Sequence, residues 1–356
     1  MSSLPNIPAA APAVLFTSAG GEIKYVEDHP VIQPSELKPG EVLVRVEYSG
    51  VCQTDYHVAK GHLPILPQYP IVGGHEGAGR VVAIGAGTHT TSPLNAPVGL
   101  KWIASTCSAC SYCLSGSEHF CPTAGMSGFT RPGTFQRYVV VDEKALVRLP
   151  SEGVRAEEAA VMMCAGVTAW KAVKKANVNA SSWLVISGAG GGIGHLATQF
   201  AVHGGIKVVA IDRGDKRELV EGYGVEKFLD FEKYEGEGLA EEVKRICDGI
   251  GAHAAIVAAT APDAYQQAAD FLRPRGTLVA VTVSPSISLN GGLFLLKGLN
   301  LVALYAMNQE DTAEALEMLK RGKVRPEVEV RELRELSEVF DRMEKGQISG
   351  RIVLKC

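Results

Sequence analysis

The sequence predicts an α/β protein in two parts, a β-rich region followed by a doubly wound parallel sheet. A change of rhythm along the chain and one glycine-rich turn carry that prediction. Up to about Arg148 apolar residues alternate with polar ones, as in Glu41-Val-Leu-Val-Arg-Val-Glu47 and Gly79-Arg-Val-Val-Ala-Ile84. Such alternation marks strands with one buried face. From Trp183 onward short apolar runs alternate with helical stretches, and the turn Ser187-Gly-Ala-Gly-Gly-Gly-Ile-Gly194 joins the first run to the first helix.

Glycine and proline punctuate the β-rich half, as at Gly73-Gly74 and Pro132-Gly133. In the second half strands are expected at Trp183–Ser187, Lys207–Ile211, Lys227–Leu229, Ala254–Ala258, Thr277–Val281 and Asn300–Leu304, with helices such as Ile193–His203 and Ala240–Cys247 between them. Crossovers of that length suit parallel pairing. After Asp311 come a helix, a short strand near Val328-Glu-Val330, a second helix and a last strand, Arg351–Leu354.

A chain of 356 residues is long enough for two domains, and 46% hydrophobic with 21% charged residues is the composition of a folded globular protein. Net charge is −4 with no basic run, which argues against nucleic acid as a partner. The most apolar stretch, Leu293 to Met307, is interrupted by Lys297 and Asn300 and is too short and polar to span a bilayer. Met1 to Pro12 lacks the basic start and apolar block of a secretory signal. Eight cysteines without such a signal suggest metal ligands and free thiols in a reducing compartment, so a cytoplasmic location is expected.

Four of those cysteines stand as Cys107-x2-Cys110-x2-Cys113-x7-Cys121. Four thiolates so close together can close a tetrahedral shell around one Zn²⁺, with no position left for chemistry. Cys121-Pro122 also has the look of iron–sulfur ligation, but ferredoxin-type runs place the next cysteine three residues on, not seven. Cys52, His75 and Cys164 form a second candidate set, two thiolates and one imidazole with a fourth position open, the pattern of a catalytic zinc. Taken singly, a cysteine is more often a small buried hydrophobe and a histidine a satisfied structural residue. Cys247 and Cys356 have no metal-like neighbours and read as free thiols.

In the glycine-rich turn, Gly191 and Gly194 keep the last two places of a dinucleotide fingerprint and Ala189 occupies the first. Such a turn can be no more than a tight strand–helix connection. Asp212 adds weight, because it ends the second strand 18 residues past Gly194, where a carboxylate accepts ribose hydroxyls and repels a 2′-phosphate. NAD is thereby favoured over NADP, with Arg213 next in line as a counterweight.

Several motifs, in order, give the chain a family resemblance: Tyr48-Ser-Gly-Val-Cys52, Gly73-Gly-His-Glu-Gly77, the four-cysteine lobe, Cys164-Ala-Gly166, the nucleotide turn and Met343-Glu-Lys-Gly-Gln347. The chain resembles the zinc-dependent medium-chain alcohol dehydrogenases, within them the microbial tetrameric branch, over nearly its whole length. The resemblance implies a GroES-like catalytic domain over 1–163, a Rossmann domain over 164–310 and a return to the first domain over 311–356. It implies two zinc ions per chain, NAD, and a homotetramer or homodimer. Cys52, His75 and Cys164 would hold the catalytic zinc, with Glu76 behind it and Asp55 on the second ring nitrogen of His75. Thr54 would take the hydroxyl proton and His57 would carry it to solvent through the cofactor ribose. Thr168 would pack on the nicotinamide. Gln53, Arg351, Lys216, Asp212 and the backbone of Gly188, Gly190, Gly191, Gly192, Ile193 and Gly194 would bind the rest of the cofactor.

Three positions depart from the family pattern. Gln53 replaces a His or Arg that offers a cation to the pyrophosphate. Leu63 stands where ethanol-specific relatives carry a pocket tryptophan, while Trp102 is kept. Asn95-Ala-Pro-Val-Gly99 replaces a Gly-Asp turn. The expected activity is NAD-dependent interconversion of an alcohol and its aldehyde or ketone, on substrates larger than ethanol. An NADP(H)-linked aldehyde reductase, a non-catalytic zinc or redox-sensing protein, and a zinc-free quinone reductase are the rivals. The four-cysteine lobe opposes the last, and Thr54 and His57 beside the ligand set oppose the second.

Overall fold

The computed structural model describes residues 6–261, 263–282 and 287–356. Residues 1–5, the start of the Met1–Pro12 segment, lie outside the described residues. The chain divides into two compact units. One comprises Met1–Cys164, Ala306–Gly322 and Val328–Cys356, the other Ala165–Tyr305 and Lys323–Glu327.

In the first unit a seven-stranded sheet is built around the strand Glu41–Gly50. Its valines Val42, Val44 and Val46 are buried with Val81, Val98, Val139 and Val141, which is the consequence of the period-two pattern. Along one edge it pairs antiparallel with Glu76–Ile84. Along the other, Tyr138–Asp142 pairs with its first half and the chain's last strand, Arg351–Lys355, with its end. Gly50 lies opposite both Glu76 and Val353. This register gathers Cys52, His75, Glu76 and Arg351 at one end of the central strand. Gly50 is required there, because a Cβ would run into the Glu76 side chain.

The turn that departs from the family pattern keeps its neighbours paired. Asn95 has φ +66°, a left-handed conformation that asparagine tolerates better than most side chains. Its N–H donates to Val81 O, and the following strand, Pro97–Leu100, joins the sheet beside Glu76–Ile84. A two-stranded ribbon, Ile103–Ser105 with Gly125–Met126, frames the loop that carries the four cysteines.

Among its described residues the second unit holds six strands: β1 (Trp183–Ser187), β2 (Lys207–Asp212), β3 (Lys227–Asp230), β4 (Ala252–Val257), β5 (Leu272–Ala280) and β6 (Asn300–Ala303). All neighbours pair parallel, in the order β3-β2-β1-β4-β5-β6. This is the doubly wound order, with its switch point between β1 and β4. Leu184, Val185 and Ile186 are all fully buried, as a central parallel strand covered on both faces must be. The helix Gly194–His203 follows β1 directly. His195 and Gln199 on that helix clamp residues 323–327 to the unit through the N–H of Glu327 and both backbone groups of Arg325.

Candidate active site

The helix Gln53–Lys60 begins one residue after Cys52, so its first turn faces the end of the central strand. Asp55 serves two partners from that turn. Its Oδ2 accepts the Cys52 N–H at 2.9 Å, and its Oδ1 lies 2.8 Å from His75 Nδ1. The carboxylate fixes the ring through Nδ1, so that Nε2 is the nitrogen turned toward Cys164 and placed to meet a metal ion. Burial alone would lower the His75 pKa, but the charges and hydrogen bonds of Asp55 and then Cys52 outweigh it and hold the imidazole well above its ordinary value. Trp102 closes one side, its ring edge-on to His75 at 5.2 Å.

His75 Nε2 lies 3.4 Å from Cys164 Sγ, and Cys164 Sγ lies 4.0 Å from Cys52 Sγ. With zinc's bond lengths a tetrahedral shell has edges of about 3.4–3.8 Å between such atoms. Glu76 adds a carboxylate, and the four ligand atoms all lie within 4.8 Å of one another. The electrostatics call for a cation. A hydrogen bond from Cys164 holds the Cys52 thiol well below its ordinary pKa, and the same contact, with burial, pushes Cys164 well up. Two such buried thiols both ionise only if a positive ion compensates them. Burial also raises the Glu76 carboxyl to about 7, against the pull of Arg351. Glu76 Oε1 pairs with Arg351, while its Oε2 is buried with no hydrogen-bond partner among the described residues. This donor set and the orphaned oxygen fit a zinc ion.

Cys164 reaches the site from a π-helical turn, Met162–Gly166. Such turns recur at functional sites, and nothing in the sequence pattern distinguishes this one from ordinary helix. Thr54 Oγ1 lies 3.7 Å from Cys52 Sγ. Its neighbour Gln53 is half-buried at the helix start, and His57 sits one turn on, also half-buried. Leu63 and Trp102 both pack, half-buried, on the apolar cluster that includes Tyr56, Phe129 and Phe340. Arg351, expected at the pyrophosphate, is buried and its guanidinium pairs with Glu76 across the end of the central strand, where Gly50 has no side chain to separate them.

The four lobe cysteines also converge. Sγ–Sγ distances are 3.6 Å for Cys107–Cys121, 3.5 Å for Cys110–Cys113 and 3.9 Å for Cys107–Cys113, far beyond a disulfide and near the edges of a Zn–S₄ tetrahedron. The N–H groups of Cys110 and Cys107 donate to the sulfurs of Cys107 and Cys121. The bond from Cys107 draws the Cys121 thiol down to about 6, so part of this shell is prepared as thiolate. These residues too fit a zinc ion.

In the second unit Gly188 has φ +78°, and a Cβ there would press on the Ala258–Ala259 peptide at 2.8 Å. Gly194 lies so close to Gly188 O that a side chain has no room. Those constraints hold the turn tight at the start of the helix, where N–H groups suit a phosphate. Asp212 is buried at the end of β2. It accepts the Gly190 N–H at 2.8 Å and the Arg213 N–H at 2.8 Å, with Lys216 Nζ at 3.8 Å. Arg213 reaches the exposed Asp215 at 3.3 Å. Thr168 is half-buried in the first turn of the helix Val167–Ala176.

The chain is similar to known proteins over nearly its whole length. The family model described as the alcohol dehydrogenase GroES-like domain matches residues 38–151, and that of the zinc-binding dehydrogenase matches residues 192–321. The alcohol dehydrogenase of Schizosaccharomyces pombe is 43% identical over 345 residues, 96% of each chain. The alcohol dehydrogenase of Aeropyrum pernix superposes with a TM-score of 0.88 at 25% identity, covering 97% of this chain and 100% of that one. The acetophenone reductase of Geotrichum candidum, solved in complex with NAD, superposes with a TM-score of 0.86 at 28% identity, over 99% and 98%.

Proposed function

We infer the chemistry of the site from the premise those matches establish: the chain belongs to the zinc-dependent medium-chain alcohol dehydrogenase family. It is an oxidoreductase that interconverts an alcohol and its aldehyde or ketone, with zinc and NAD(H) as cofactors. The observation that carries the assignment of roles is the buried cluster of Cys52, His75 and Cys164, with Asp55 on His75 and Thr54 beside Cys52.

Two zinc ions per chain are our reading, one in that cluster and one in the four-cysteine lobe. When bound, the first zinc would supply Lewis acidity and NAD a hydride acceptor. Cys52, His75 and Cys164 hold the ion. Asp55 keeps Nε2 of His75 free to ligate. Glu76 sits behind, its charge balanced by Arg351. Thr54 takes the hydroxyl proton and His57 carries it outward. Gly188, Gly190, Gly191, Gly192, Ile193, Gly194, Asp212 and Lys216 hold the cofactor, with Gln53 toward its phosphates and Thr168 toward its nicotinamide. Asp212 favours NAD.

Leu63 in place of an indole leaves room for alcohols larger than ethanol, and the resemblance to an acetophenone reductase agrees with an aromatic substrate. Each further buried CH₂ contributes about 0.8 kcal/mol, or roughly fourfold in kcat/KM. The test is kcat/KM from ethanol to hexanol and for benzyl and cinnamyl alcohols, with NAD and NADP, in wild type and Leu63→Trp. Wild type should favour the larger alcohols and the variant should lose most on them. An unchanged ranking, best on ethanol, rejects the assignment of Leu63.

Among the described residues no helix is long and apolar enough to cross a membrane. We read the setting as reducing and cytoplasmic, because six of the eight cysteines are placed as metal ligands and need to stay reduced. Strand β6 is a sheet edge, with Leu301 43% exposed, and nearby Leu295 and Leu296 are 85% and 88% exposed. An open edge beside bare leucines suits pairing with a second copy, so we read the chain as a homodimer or homotetramer. Sedimentation of Leu295→Asp/Leu296→Asp should then show smaller species than wild type, and unchanged species would remove this edge from the interface.

A further inference from the structure

We propose that His62 is the outer member of a two-histidine proton exit, receiving the proton from His57 and releasing it to solvent. This rests on the reading of His57 as the inner carrier. The helix Gln53–Lys60 ends in a Schellman motif. Gly61, at φ +71°, donates its N–H to Val58 O, and His62 donates its N–H to His57 O at 2.9 Å. That motif sets the second residue past the helix over the residue a turn and a half earlier, where an apolar contact is usual. Here the two residues are histidines. Their Nδ1 atoms face each other at 3.4 Å, their ring centroids are 5.6 Å apart, and both rings stand edge-on to Tyr56.

Facing Nδ1 atoms require complementary tautomers, one bearing hydrogen and one bare. A proton arriving at the other nitrogen of His57 therefore displaces the one on its Nδ1 toward His62 Nδ1. His62 then sheds a proton from its own second nitrogen to water, and both rings end neutral. Exposure divides the work, since His57 is half-buried and His62 exposed. Burial, and then the charge of His62, hold the His57 pKa below its ordinary value, so His57 is neutral near pH 7 and discourages the proton from staying. Other charged groups face this corner. Cys52 acts on His57 from within. Lys60 lies 5.6 Å over the Tyr56 ring, and Glu344 and Asp341 act on Tyr56 from the helix Leu336–Glu344. All of these persist when His62 is replaced.

The experiment compares wild type, His62→Gln and His57→Gln holoenzyme. It uses NMR titration of the imidazole carbons and stopped-flow detection of proton release in the first turnover with benzyl alcohol. In His62→Gln the His57 titration should move upward. Proton release should slow by about tenfold, less than the roughly hundredfold attached to a directly acting base. Added imidazole should restore release, and KM for NAD should be unchanged. A His62→Gln enzyme with the wild-type His57 titration and wild-type release, beside a slowed His57→Gln, overturns the role of His62 alone. Normal proton release in His57→Gln overturns the relay itself and the inference with it.

Discussion

At the scale of single residues, the site is organised by charge: Asp55 on His75, Arg351 on Glu76, and Asp212 at the glycine-rich turn. Cys52, His75 and Cys164 stand out because soft and borderline ligands recur in distinctive local motifs. The Glu76–Arg351 pair was not legible, since it arises from Gly50 lying opposite both Glu76 and Val353. No local signal encodes that register. His62 was missed for a related reason: its contact with His57 needs the left-handed turn at Gly61. Asp212 gives the sharpest single-residue prediction. Its buried carboxylate sits at the end of β2, tied to Gly190 and Arg213. Loss of a charge-assisted pair costs about 1.5–3 kcal/mol, so Asp212→Ala should lower kcat/KM with NAD about 10- to 100-fold and narrow the gap to NADP. A wild type that already prefers NADP contradicts this account of the residue.

At the scale of elements, the parallel sheet was the most readable part. The runs at β1 and β2 match the strands almost to the residue, because central strands are apolar throughout. Strand β5 begins at Leu272, five residues before the apolar run at Thr277, since Arg273-Pro-Arg275 hides its first half and Arg275 takes φ +65°. The π-helical turn at Met162–Gly166 leaves no mark in the sequence, because periodicity does not separate it from α-helix. The four-cysteine loop has little structure of its own, a four-residue helix, one 3₁₀ turn at Glu118–Phe120 and a two-stranded ribbon. Its order should therefore come from the metal, because a closed zinc shell contributes folding energy directly. Cys110→Ala should lose one zinc per chain, sharpen protease cleavage within 107–121, and lower Tm by several degrees, at about 2–4 °C per kcal/mol for a large domain. A variant with unchanged Tm and zinc content refutes a metal-held lobe.

At the scale of the whole molecule, the two-part α/β architecture followed from the change of rhythm near residue 183 and from the family motifs. The return of the last strand to the first sheet came from the resemblance; the strand Arg351–Lys355 pairs with Glu41–Gly50. That long-range pairing completes a site whose parts lie more than 270 positions apart in sequence, as the Glu76–Arg351 contact shows. The central claim is that one zinc performs the chemistry and the other holds the lobe. Zinc content, NAD reduction with benzyl alcohol and thermal unfolding, measured together on wild type and Cys164→Ala, test it most directly. Wild type should carry about two zinc ions per chain, one for each cysteine-rich site. Cys164→Ala should carry about one, unfold near the wild-type temperature and reduce no NAD. A Cys164→Ala enzyme that keeps both its zinc and its activity contradicts the account.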